Sequence, residues 1–148
     1  MRMFVLVTLI AVSLPAAAAA DQTCKPVVGH FEASLVPPPE CTSPVGLCTA
    51  GRVWGGLQGT YAFTMTSIQN SVAVPSISFF TGDSVVTLKN EDVVHGTDTG
   101  SIDLGPDGGF ASLITFSGAT TGQIRLRGQL DLAEGTTSGD YIGTICKP

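Results

Sequence analysis

GGFASLITFSGATTGQIRLRGQLDLAEGTTSGDYIGTIC, residues Gly108–Cys146, is the stretch that decides the fold. It holds three β-like runs, each long enough to cross a small barrel, separated by turns of Gly, Thr and Ser. In the middle run Ile124, Leu126, Leu130 and Leu132 alternate with Gln123, Arg125, Arg127, Gln129 and Asp131. A period of two marks a strand with one dry face and one wet face.

The same grammar extends towards the N-terminus. Val27, Phe31, Ala33 and Leu35 share one face of a strand near residues 27–36, with His30, Glu32 and Ser34 on the other, and Pro37-Pro38-Pro39 ends it. A long strand is expected over residues 52–67, bent at Gly55, Gly56 and Gly59, with Leu57, Tyr61, Phe63 and Met65 on one face. Short strands follow at 76–81 and 84–89, with Gly82-Asp83 as the turn between them, then a strand at 93–104. The turn Gly105–Gly109, where Asp107 fixes backbone geometry, leads into strands at 110–117, 122–132 and 139–145. The sum is an all-β chain, read as a single closed antiparallel β-barrel of about eight strands. An immunoglobulin-like sandwich is the rival, but Trp54 lies at the wrong spacing between Cys48 and Cys146.

Residues 1–20 read as a secretory signal peptide: Arg2, an apolar run from Met3 to Leu14, Pro15, then Ala16–Ala20 before the cut. Residues 21–148 form one domain, secreted into an extracellular or periplasmic space. With Arg2 removed, six basic residues face twelve acidic ones. Nothing basic is clustered, which argues against nucleic-acid binding. Four cysteines in an exported chain read as two disulfides, with three pairings open. Cys41–Cys48, which staples a short loop, and Cys24–Cys146, which joins the two ends, are favoured; the second requires the first and last strands to be neighbours, as they are in a closed sheet. Cys-x6-Cys without nearby histidines matches no zinc pattern, so no metal and no cofactor is expected.

Gly109–Gly118, Thr121–Ile124, Arg127–Leu132 and Gly139–Ile145 together resemble the allene oxide cyclase-like barrels and, more distantly, dirigent proteins. The likeness is strongest over the last forty residues and rests on turn glycines and core positions. It implies an eight-stranded barrel with a hydrophobic lumen, a homotrimer in the plant members, acting on a small apolar molecule. Phe31-Glu32-Ala33-Ser34 and Pro37 resemble the family's first-strand phrase, which makes Glu32 the catalytic candidate; Ser34 replaces the family's asparagine.

Other candidates come from the residues themselves. His30 and Glu32 lie two apart on one strand face, at acid/base reach or merely solvated. His95, Thr97 and Thr99 form a row that would hydrogen-bond a ligand in a barrel mouth, with Asp98 on the opposite face. Tyr61 and Phe63 are core residues that would line a cavity. Asp98, Asp103 and Asp107 lack the ligand order of a calcium loop, and no Gly-x-Ser-x-Gly elbow marks a hydrolase.

Two functions compete. One is a secreted barrel that binds a small apolar molecule, with cyclase or isomerase action through substrate shaping. The other is a non-catalytic carrier or structural barrel. An outer-membrane barrel ranks last, since 7% aromatics give no girdles. A ligand function predicts an apolar lumen pocket of roughly a few hundred Å³ with Glu32 or His95 in its wall.

Overall fold

The computed structural model describes residues 22–106 and 108–147. The leader-like residues 1–20 and Asp107 lie outside them. Eight antiparallel strands run in sequence order: β1 (Thr23–Leu35), β2 (Cys48–Gly55), β3 (Gly59–Asn70), β4 (Ile77–Leu88), β5 (Val93–Asp103), β6 (Gly109–Ser117), β7 (Thr121–Asp131) and β8 (Thr136–Lys147). Each pairs with the next, and β1 pairs with β8, so the sheet closes into a barrel with no free edge.

Closure is set by an unbroken β1–β8 register from Thr23↔Lys147 to Ser34↔Thr136. It puts Cys24 directly opposite Cys146, and the two are disulfide-bonded with Cα atoms 3.9 Å apart. Cys41–Cys48 ties the β1–β2 loop back to the start of β2. Both pairings are the ones the spacing favoured.

Alternation sends one face of every strand inward. Val27, Phe31 and Ala33 of β1, Ile124, Leu126 and Leu130 of β7, and Tyr141 and Ile145 of β8 are all buried. Leu132 departs from the pattern: β7 ends at Asp131, and Leu132 is 56% exposed in the turn. Inward rings face small residues on the neighbouring strand. Phe110 is paired with Gly128, Phe80 with Gly100, Tyr61 with Gly51 and Phe63 with Ser84. This large-against-small pairing lets a narrow lumen take side chains from eight strands without overpacking.

Two strand boundaries differ from the sequence reading, and the differences compensate in the count. The expected long strand over 52–67 is two strands: the chain reverses at Gly56–Gln58, after Gly55 adopts φ +100°. Leu57 at this turn enters the lumen, and its N–H donates to the Tyr141 hydroxyl at 2.7 Å, which in turn donates to the Trp54 carbonyl at 2.8 Å. Conversely, Gly82-Asp83 makes no turn. It lies inside β4, where Gly82 is buried against the Phe63 ring, so the glycine is there for space. A bulge between Met65 and Ser67 shifts the β3–β4 register, and the hydroxyls of Thr66 and Ser67 both meet Thr81 Oγ1.

The two ends of the barrel differ. At the lower end, which holds Cys24–Cys146 and the β2–β3 turn, Leu57, Val86, Ile114, Ile124 and Tyr141 close the interior to a gap of about 10 Å³. The upper end, crowned by the β1–β2, β3–β4, β5–β6 and β7–β8 loops, keeps a larger gap of about 50 Å³, lined in part by the half-buried Leu47 and Phe110.

Candidate functional site

The gap in the upper half of the lumen is a cup of about 50 Å³. Leu47, Met65, Ile102 and Leu130 line it with the rings of Phe31, Tyr61, Phe63, Phe80 and Phe110. Phe31 contacts Tyr61 and Phe110 at centroid distances of 6.1 and 6.0 Å, and Phe63 meets Phe80 edge-on at 5.7 Å. These spacings suit tilted and edge-to-face aromatic packing.

Thr49 and Thr137 also line the cup, and one carboxyl breaks its otherwise uncharged wall. Asp98, on β5, is only 2% exposed, and it is the sole buried ionisable acid or base with a formal charge among the described residues. It lies between Gly96 and Gly100 on the inward face of its strand, opposite Gly82 of β4 and Ile114 of β6. The space left by these glycines is taken up by Phe63 at Gly82, by Ile114 and Phe116 at Gly96, and by Phe80 and Ser112 at Gly100. Asp98 Oδ2 accepts a long 3.4 Å contact from Ser84 Oγ, which stands 3.4 Å from the Tyr61 hydroxyl. Asp98 Oδ1 and Ser112 Oγ have no hydrogen-bond partner within the protein.

Burial raises the Asp98 pKa from 3.8 to about 6, because water no longer solvates the charge; the Ser112 and Ser84 hydroxyls offset this in part. Ser112 acts here as a nearby dipole, since its oxygen makes no hydrogen bond of normal geometry. The Tyr61 phenol is driven well above its usual range, first by burial and then by the Asp98 charge. A carboxyl that titrates near neutrality inside an apolar cup can hold a cation, or accept and return a proton.

The residues singled out from the sequence divide sharply. Tyr61 and Phe63 line the cup. Glu32 and His95 do not reach it: both are exposed on the outer wall, because inward positions on their strands fall to Phe31 and Ala33 and to Val94 and Gly96. The expected pocket of a few hundred Å³ bounded by Glu32 or His95 is therefore replaced by a smaller one floored by Asp98. His30 does not pair with Glu32 either. It pairs across the β1–β8 seam with Asp140, in the open. Among the described residues no cluster of three or more His, Cys, Asp or Glu could hold a metal ion.

Asp98 had a signal in the sequence. Val94, Gly96, Asp98, Gly100 and Ile102 form one alternating face, and a lone acid among apolar and glycine positions on a dry face is the anomaly that points to a site. No family model, curated protein or solved structure matches the chain.

Proposed function

We propose that this protein is an exported barrel that holds the end of a slender apolar molecule in the upper half of its lumen. The observation that carries this reading is the cup itself: an opening lined by aromatic rings, with an unpartnered carboxyl oxygen at its floor. Two disulfides are compatible with an oxidising extracellular or periplasmic space, and the leader-like residues 1–20 support export. His30, Glu32, Arg52, Arg125, Arg127 and Asp140 are spread over the outer strand positions. A bilayer-facing band would need apolar residues there.

Cyclase or isomerase action extends the reading. Held by the rings, a flexible chain keeps one reactive conformer, and Asp98, in place of the outward-facing Glu32, exchanges the proton. The alternative of a carrier or structural barrel without chemistry is favoured by the size of the cup, about a third of the roughly 150 Å³ engineered cavity that takes up benzene. Such a space accepts the tip of a ligand, with the remainder among the upper loops.

Native mass spectrometry of the protein from its natural source tests the reading. A retained low-mass apolar compound, released on unfolding, is the expected result. A bare mass, together with no uptake of added 1-hexanol or hexylamine, overturns it.

A further inference from the structure

We propose that the cup recognises an organic ammonium ion: the protonated primary amine of a slender aliphatic molecule, seated on the Asp98 carboxylate and enclosed by the rings of Phe31, Tyr61, Phe63, Phe80 and Phe110. This deepens the binding function proposed above and rests on it.

Charge comes first. No Lys, Arg or His among the described residues is buried, so nothing inside the barrel neutralises Asp98. Strand β4 presents Gly82 and Ser84 to it, β6 presents Ile114 and Ser112, and from β3 Tyr61 reaches it through Ser84. Tyr61 is the one titratable side chain in that set, and it is neutral at any physiological pH. A buried carboxylate facing only hydroxyls and hydrocarbon is stabilised by a cation. The chain's formal net charge of −5 also favours cation approach.

The wall adds a second preference. Aromatic faces attract ammonium groups, more strongly where water is excluded. A neutral alcohol would use the carboxylate as an acceptor but gain little from the rings, and an anionic ligand would be repelled.

Hydrogen-bond capacity narrows the class further. Asp98, in the cup wall, has an unpartnered Oδ1 and only a long contact at Oδ2, and Ser112 Oγ on the neighbouring β6 is also unpartnered. A primary ammonium brings three donors, enough for these acceptors; a quaternary ammonium brings none. The volume of about 50 Å³ fits an ammonium head and the first carbons of its chain. Further methylenes lead out past Leu47, Met65 and Leu130.

Calorimetric titration of the folded, disulfide-bonded protein with hexylamine and with 1-hexanol at pH 7.5 tests this. Hexylamine should bind at least tenfold more tightly than 1-hexanol, and its affinity should fall severalfold from pH 7.5 to pH 5 as Asp98 takes up a proton, with 1-hexanol unchanged. In Asp98→Asn, hexylamine affinity should drop tenfold or more while 1-hexanol affinity stays within about twofold. Because the comparison of the two probes on the unaltered protein needs no variant, it holds even if the substitution harms folding. Equal or tighter binding of 1-hexanol, with no pH dependence for hexylamine, overturns the ammonium proposal and leaves the apolar cup standing. If neither probe binds, both readings fall.

Discussion

Replacing Asp98 by Asn should change how the stability of the barrel depends on pH. The folded-state pKa of about 6 stands roughly two units above the unfolded value of 3.8. The folded protein therefore binds the extra proton more readily, and stability falls as pH rises from 3.8 towards 6, then levels off. At 1.36 kcal/mol per unit, Asp98 alone removes about 2.5 kcal/mol of unfolding free energy between pH 4 and pH 7.5. For a domain of this size that corresponds to a melting shift on the order of 8 °C. Asn keeps the shape and cannot ionise. Other groups also titrate: Asp92, whose pKa is lowered by its hydrogen bond to Lys147, contributes with the opposite sign. That contribution is common to both proteins and cancels in the difference. Urea unfolding with disulfides intact, at pH 4, 5, 6 and 7.5, gives the difference directly. The stability of Asp98→Asn minus that of the unaltered protein should grow by about 2.5 kcal/mol over this range, with its steepest change between pH 4 and 6. Parallel curves, with a difference constant to within about 0.5 kcal/mol, would refute the claim that this carboxyl is buried without a counter-charge.

Three further outcomes follow from the packing. Gly82→Ala puts a methyl group against the Phe63 ring and 2.6 Å from the Thr64 carbonyl oxygen, so chemical denaturation should show a loss of about 1–3 kcal/mol. Tyr141→Phe leaves the Leu57 N–H and the Trp54 carbonyl without their hydroxyl partner at the lower end; a loss of about 1–3 kcal/mol is expected, with amide exchange at Leu57 accelerated. Replacing Cys24 and Cys146 together by Ser should cost about 5 kcal/mol, against about 2–3 kcal/mol for the Cys41–Cys48 pair, because the first bridge spans 122 residues and the second 7; equal losses in paired urea melts would contradict this ordering.

The sequence by itself pointed to a closed barrel and to many of the residues that fill it. Alternation at Ile124, Leu126 and Leu130 and at Tyr61, Phe63 and Met65 is a local property, because successive side chains of any strand point to opposite sides. The terminal cysteines carried the closure, since their bridge requires the first and last strands to be neighbours. Only the tertiary structure decided where the strands turn and where the site lies. A glycine reads alike whether it supplies a positive φ, as Gly55 does, or room for a ring from the next strand, as Gly82 does; the difference depends on which residue the register brings opposite. The same holds for the acids. Glu32 and Asp98 both sit on alternating strands, and their chemical worth was settled by the face each was given. Glu32 sits beside buried Phe31 and Ala33 and faces solvent, whereas Asp98 takes an inward position between two glycines. The size of the cup is likewise non-local: it is the space left when five rings from four strands meet, and no single strand encodes it.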